Sequence, residues 1–209
     1  KEKFTDIYHS ALWGKKNSER FYSGEGSGNI SITSKYIDSV KIFLESLPNK
    51  PNVVDLGCGD FVVGSKIRPL CDSFIACDIV EPIVEYNKKK YQKFNIEFCT
   101  LDIINDNLPA ADVVFLRQVL QHLSNSDIKK IIQKLAKSYD YLVLTEHLPI
   151  TKNFIHNLDI DTGPGTRLNI NSGVVLTSPP FNLQAESENV ILKVLVYNGN
   201  LTTTIFKLK

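Results

Sequence analysis

The residues of this chain whose types and spacing could do chemistry begin with Asp55-Leu56-Gly57-Cys58-Gly59. An apolar pair, Val53-Val54, leads into an acid, and two glycines follow two residues apart. A strand that breaks into a glycine turn and re-enters as a helix, here from Val62 to Leu70, lets a ligand approach the main chain. It also offers the ligand unpaired N–H groups at the helix start. Alone, Gly-x-Gly also fits any turn between a strand and a helix. Asp78 sharpens the reading. It ends the next apolar run, Phe74 to Cys77, close to the ~20-residue spacing at which an acid meets ribose hydroxyls. Arg167 stands apart, in Gly163-Pro164-Gly165-Thr166-Arg167. That loop is a poor core environment. A guanidinium there can hold a carboxylate or phosphate through two parallel bonds, or sit as a solvated charge.

The elements that must position these groups follow in order. Residues 1–33 carry five aromatics in the first 22 and then a glycine- and serine-rich run, which reads as an arm that orders over a pocket rather than a regular element. Apolar residues at i, i+3, i+4 spacing predict an amphipathic helix over 34–47, ended by Pro48 and Pro51. Strands are expected at 52–56, 73–78, 96–99, 113–116 and 141–144, and helices at 62–69, 81–93 and 125–138. The last helix opens at Ser124, with Asp127 three residues on. Short strands apolar on both faces belong to a parallel sheet covered by helices. Residues 148–189 hold Pro, Gly and Asn without sustained periodicity, a long loop region of the kind that carries function. Residues 190–208 read as a β-hairpin turning at Asn198-Gly199.

Composition bounds the rest. A chain of 209 residues, 43% hydrophobic and 22% charged, is long enough for one domain with a full core. Its net charge of +1 argues against a broad nucleic-acid footprint. No apolar run reaches the ~18 residues of a membrane span, and no apolar stretch of a signal peptide follows the N-terminus. Cys58, Cys71, Cys77 and Cys99 lack Cys-x-x-Cys or zinc-like spacing. They read as reduced thiols filling core space in a cytoplasmic protein.

At this point the residues resemble the class I S-adenosylmethionine-dependent methyltransferases. The similarity covers roughly 50–147, with the terminal hairpin matching that family's closing strands. It implies a Rossmann-like α/β fold: a seven-stranded, mostly parallel sheet with helices on both faces and a C-terminal antiparallel hairpin. The chain would be a single domain over 1–209, made of a lid arm (1–33), a cofactor-binding core (34–147), an acceptor cap (148–189) and the closing hairpin (190–209). Asp55, Gly57 and Gly59 look like the first motif, with Phe61 where a third glycine is usual. Asp78, with Ile79 beside it, matches the acid that binds the ribose. Asp102 and Ile103 match the segment that meets adenine, through its exocyclic amine and its ring. The segment from Ala111 to Leu123 resembles the fourth motif, from which Arg117 and Gln118 would meet the methionine end. Tyr8, Trp13, Arg20 and Ser23 of the arm would fold over the same end. Trp13-Gly14, Ser23 to Ser27, the Asp161–Arg167 loop and Pro179-Pro180-Phe181 are similar to a subgroup acting in bacterial surface-polysaccharide pathways.

The chemistry implied is methyl transfer from S-adenosyl-L-methionine, leaving S-adenosyl-L-homocysteine, onto a small polar metabolite. No nucleic acid, membrane or metal is required. The protein must align the acceptor, shield it from water and, for an alcohol, remove a proton. His122 is the first candidate base, just past the fourth strand, although a histidine there also serves as a helix-start residue satisfied by backbone. His147, after the fifth strand, is a second base or orienter and, with Glu146 and Asp161, a conceivable metal set. Arg167 and Asp161 would face the acceptor. The competing readings are an RNA or protein methyltransferase, a cofactor-binding protein without turnover, and an NAD-dependent oxidoreductase. The absence of a full Gly-x-Gly-x-x-Gly disfavours the last.

Overall fold

Alternating apolar strands and amphipathic helices fold this chain into two compact units, one ending at Asp102 and one beginning at Ile103. A computed structural model describes residues 2–14, 21–151 and 153–209. The first unit contains helices α1 (Glu2–His9), α2 (Glu25–Gly28), α3 (Ile30–Ser46), α4 (Val62–Ile67) and α5 (Glu81–Lys90). Its strands are β1 (Val53–Leu56), β2 (Phe74–Asp78) and β3 (Glu97–Thr100). The second contains β4 (Val113–Arg117), α6 (Asn125–Ser138), β5 (Tyr141–Pro149), the short β6 (Ile155–His156) and β7 (Ser172–Gly173), β8 (Ser187–Val196) and β9 (Gly199–Lys207). The main sheet has seven strands in the order β3-β2-β1-β4-β5-β9-β8. Within the first unit β1 pairs with β2 and β2 with β3, both parallel. Within the second, β4–β5 is parallel, and β9 lies antiparallel between β5 and β8. This is the expected Rossmann-like class, seven mostly parallel strands with antiparallel strands at the C-terminal end.

Local chemistry explains most boundaries. α3 begins four residues before its expected start because the Asn29 side chain accepts the Ser31 N–H as an N-cap. Its buried face is then Ile32, Tyr36, Val40 and Leu44, one every four residues. The glycine run before it holds a single helical turn, α2. α6 starts as expected, with Ser124 Oγ accepting the Asp127 N–H and Ile128, Ile131, Ile132 and Leu135 turned inward. β5 runs to Pro149, well past its expected end at 144, because β9 pairs with it through Gly199. Glu146 and His147 therefore lie within a strand.

Phe61 stands where a third glycine is usual. It adopts the left-handed conformation (φ 58°) a glycine would take, at a cost of roughly 1–2 kcal/mol for an L-residue. Burial offsets that cost. The ring is fully buried and meets Phe74, Tyr91 and Phe98 edge-on at 5.4, 5.3 and 5.0 Å, contacts worth about 0.5–1.5 kcal/mol each beyond the area buried. A side chain on Gly64 would collide with the same ring.

The hairpin turns one residue earlier than expected. Val196 pairs with Gly199, so Tyr197-Asn198 makes the turn and Tyr197 carries the positive φ of 53°. Gly199 is needed instead for close approach: a Cβ there would lie 2.6 Å from His147 Nε2. β8 is the edge strand, and one extra residue at Ile191 bulges it, since Val190 opposes Thr204 while Leu192 opposes Thr203.

All four cysteines are free, with Cys71 and Cys77 buried. Burial pushes the Cys71 thiol up to about 12. Among the described residues no helix is long and apolar enough to cross a membrane.

Candidate functional site

In the first unit the chemistry gathers where β1 breaks. Gly57 and Gly59 take positive φ values of 84° and 53°, which glycine adopts without strain. The Gly57 and Cys58 amides both donate to Cys77 O at the end of β2, at 2.8 and 2.9 Å. That folds the turn back over the neighbouring strand. Asp78, the last residue of β2, is 8% exposed. Its Oδ2 accepts the Gly59 N–H and its Oδ1 the Val80 N–H, both at 3.0 Å. Burial pushes its carboxyl upward, against the pull of those amides. The sequence-paired acid and glycine are thus in direct contact. Backbone amides take part of the lone pairs of this carboxylate and the rest can still accept, an acceptor set that suits a vicinal diol. Asn87 holds the other side of the turn, donating to Gly59 O at 2.7 Å.

The arm closes on this turn. Ser23 Oγ accepts the Asp60 N–H at 2.8 Å, and Ser23 N donates back to Asp60 Oδ2 at 3.1 Å. Tyr8 OH lies 3.2 Å from Ser23 Oγ. A Cβ at Gly59 would collide with that Oγ. Trp13 packs edge-on to Tyr8 at 5.2 Å. Tyr8, Trp13 and Ser23 are therefore brought together above the glycine turn. Arg20 lies outside the described residues. Asp55, Ile79 and Asp102 are part-buried in this unit, and part-buried Ile103 opens the next.

In the second unit the site is built on the turn after β4. Gln118 has a left-handed φ of 58° and donates its amide to Thr145 O at 2.7 Å. Such strain in a non-glycine residue collects at functional sites. Arg117 Nη1 donates to Gln118 Oε1 at 3.3 Å. The 3₁₀ turn Leu120–His122 follows and is gripped from both ends. Glu146, 2% exposed, accepts the Leu120 N–H at 3.2 Å. Arg167, 1% exposed, donates to the carbonyls of Leu120, Gln121 and Leu123, and also to Leu158 O and Asn125 Oδ1, at 2.7–3.4 Å. The loop that carries Arg167 is fastened over the same turn. Gly163 N donates to His122 O at 2.9 Å, and Thr162 Oγ1 accepts the Ser124 N–H while donating to Asp127.

These contacts revise three expected roles. Arg167 is not an anion receptor, because its donors are spent on carbonyls beneath the loop. The loop looks polar in sequence, but it packs back on the turn and carries the guanidinium inward. His122 is buried with both ring nitrogens engaged: Nδ1 lies 3.1 Å from Gly165 O and Nε2 lies 3.2 Å from Gln121 Nε2. Burial lowers its pKa to about 4, so it is a weak base held in a network. His147 lies in β5, half-buried, with Nε2 donating to Val196 O at 3.0 Å. It locks the hairpin turn. Asp161 is exposed on the loop. Among the described residues no three His, Cys, Asp or Glu side chains gather as a metal site, so Glu146, His147 and Asp161 form no such set. Sequence reasoning missed Asp60 and Gln121. Their only signal was adjacency, to Gly59 and to His122.

The geometry can now be set against known proteins. Residues 53–140 match a family model described as a methyltransferase domain. The fold is the Rossmann-like one of solved methyltransferases. The N-methyltransferase NodS from Bradyrhizobium japonicum, solved with S-adenosyl-L-homocysteine, superposes with a TM-score of 0.68 over 96% of this chain and 97% of that one, at 14% identity. A tRNA (carboxymethyluridine(34)-5-O)-methyltransferase from Arabidopsis thaliana is 30% identical over 173 residues, 73% of this chain and 40% of the relative. A probable cobalt-precorrin-6B C(15)-methyltransferase from Methanocaldococcus jannaschii is 32% identical over 83 residues, 40% of this chain and 44% of the relative. The chain thus spans less than half the length of the curated relatives it matches. The residues matched by that model contain the glycine turn, Asp78 and the turn after β4.

Proposed function

We propose that this chain is an S-adenosyl-L-methionine-dependent methyltransferase that O-methylates a small polar metabolite, such as a sugar or a phosphorylated precursor of surface polysaccharide. The observation that carries the reading is the buried Asp78 carboxylate joined to Gly59 of the glycine turn, with the arm closed above them. When bound, the cofactor supplies an electrophilic methyl on a sulfonium. Asp78 would hold the ribose hydroxyls, with Asp102, Ile79 and Ile103 at the adenine. Tyr8, Trp13 and Ser23, with Arg117 and Gln118, would meet the methionine end. The arm and residues 148–189 would exclude water and orient the acceptor, the part of catalysis that comes from positioning. Because Arg167 is committed to carbonyls, a phosphate on the acceptor would need another cation. We place the reaction in the cytoplasm, a setting the four free thiols support.

The test is transfer of a labelled methyl from adenosylmethionine to a panel of sugar nucleotides, sugar phosphates and small phosphoryl compounds, with calorimetry of S-adenosyl-L-homocysteine binding alongside. Transfer onto a panel member is expected. Failure to bind the homocysteine product sinks the cofactor reading, and binding without transfer to any acceptor leaves a cofactor-binding protein without turnover. A second reading, methylation of RNA, draws on the likeness to the tRNA enzyme. The net charge of +1 counts against it, and binding of a tRNA transcript that falls steeply with salt would favour it.

A further inference from the structure

Asp60 follows the glycine turn and joins it to the arm in both directions. It is 6% exposed. Its amide donates to Ser23 Oγ at 2.8 Å, and its Oδ2 accepts the Ser23 amide at 3.1 Å. Its Oδ1 accepts the amide of Val62, the first residue of α4, at 3.3 Å, and its carbonyl accepts from Tyr91 OH at 3.2 Å. One residue thus holds the turn, the start of α4 and an arm residue 37 positions earlier. Burial pushes the Asp60 carboxyl upward, while the Val62 and Ser23 amides favour its ionised form. Backbone amides on a carboxylate make charge-assisted bonds, about twice as strong as neutral ones.

This latch lands on the turn beside the Asp78 carboxylate. Gly59 N is tied to Asp78 Oδ2 at 3.0 Å. The space that a Cβ on Gly59 would take is filled by Ser23 Oγ, and Tyr8 OH lies 3.3 Å from that point. Burial first, and the Asp78 charge next, push the Tyr8 hydroxyl well above its ordinary pKa, so Tyr8 keeps its proton. The arm is packed together behind Ser23. The Phe21 ring, 5% exposed, meets Tyr86 of α5 edge-on at 5.5 Å and Tyr8 at 6.0 Å, and Tyr8 meets Trp13 at 5.2 Å. Displacing Ser23 therefore disturbs the rings beside it.

We infer that Asp60 is a positioning residue that couples closure of the arm to binding of the cofactor, by fastening Ser23, and with it Tyr8 and Trp13, to the glycine turn. In this role Asp60 acts through Ser23 and not by touching the ligand. A ligand that steadies Asp78 and Gly59 steadies Asp60, the next residue, and so the arm. An arm held by Asp60 steadies the ligand in return, and the two effects are equal in free energy because coupling between binding events is reciprocal. The inference rests on the methyltransferase reading for the identity of the ligand, but not for the latch.

The test compares wild type, Asp60→Ala, Ser23→Ala and the double variant of the full chain. Affinity for S-adenosyl-L-homocysteine is read by calorimetry, and arm closure by acrylamide quenching of Trp13, the single tryptophan. In the wild type the ligand is expected to shield Trp13. Asp60→Ala is expected to weaken binding about tenfold, the loss of a charge-assisted hydrogen bond, and to abolish the shielding. Ser23→Ala should act in the same direction while leaving the Val62 contact and urea stability intact, which separates the latch from a defect at α4. The double variant should lose less than the product of the two single losses, because both open one latch. Wild-type affinity and shielding in Ser23→Ala overturn the inference, and so does an Asp60→Ala variant in which the ligand still shields Trp13. A wild type that does not bind the homocysteine product refutes the function reading. The latch is then decided by quenching without ligand, which should rise in both single variants, and equal quenching in all proteins refutes it.

Discussion

Replacing Glu146 with Gln should stabilise the protein, and by more as pH rises. Glu146 is buried on β5, one oxygen capping Leu120 N and Oε2 without a partner among the described residues. Burial pushes its pKa from 4.5 up to about 8, against the pull of the Arg167 charge. A carboxyl whose folded pKa is raised contributes fully below pH 4.5 and is lost as pH climbs toward 8. Over that window the folded state holds a proton that the unfolded chain has released, so the cost is about 1.4 kcal/mol per pH unit, or about 3 kcal/mol at pH 7. Glutamine keeps the cap oxygen and carries no proton to lose. Its NH2 takes the place of the unpartnered oxygen and adds unmet donors, at a cost of about 1 kcal/mol. The expected net gain is therefore about 2 kcal/mol at pH 7, vanishing or reversing at pH 4. Urea unfolding of both proteins at pH 4.5, 6 and 8, with equal m-values, measures the difference. The opposite slope contributed by His122 is present in both and cancels. A difference that shrinks as pH rises would mean Glu146 is ionised and paired with Arg167, and would refute the argument.

Other outcomes follow from the same geometry. Asp78→Ala should weaken S-adenosyl-L-homocysteine binding at least tenfold by calorimetry, since Asp78 is tied to Gly59 and, on the proposed reading, accepts from the ribose diol. Phe61→Ala should cost about 3–5 kcal/mol in urea unfolding. Phe61→Gly should cost about 1 kcal/mol less than Ala despite being smaller, because glycine is unstrained at φ 58°. Asp60→Ala should release the arm from the glycine turn, read as a red shift of emission from Trp13, the single tryptophan. Relative to His122→Ala, wild-type stability should fall as pH drops from 6.5 toward 4, by about 3 kcal/mol in total, because the charged form of His122 is favoured in the unfolded chain; the opposing slope of Glu146 is common to both proteins. A flat difference there would place His122 in contact with solvent.

What was legible in the sequence was whatever local chemistry decides. The Ser124–Asp127 cap placed α6 to the residue, and the acid-glycine-glycine turn with Asp78 ahead of β3 anticipated the contact between Asp78 and Gly59. The misses came from contacts that cross many residues. Arg167 looked like a ligand-facing charge because nothing near it in sequence reveals that four carbonyls lie beneath it. His122 looked like a base because the Gly165 carbonyl that fixes its proton comes 43 residues later. Gly199 looked like a turn glycine, yet tertiary approach of His147 claimed it and moved the turn to Tyr197. Phe61 broke the glycine pattern because an aromatic cluster, invisible in the motif, holds it there.

The bulge at Ile191 bears on what the edge of the sheet can pair with. β8 ends the sheet, and Val190 and Leu195 on it are 50% and 66% exposed, so its free N–H and C=O groups could template another chain's strand. An extra residue bends the ladder at its midpoint, and a straight incoming strand can satisfy one half of the edge but not both. Deleting Ile191 would restore a continuous edge with residues 187–190 still opposite their present partners. The irregularity interrupts the template that a sheet edge offers, through a single residue of backbone.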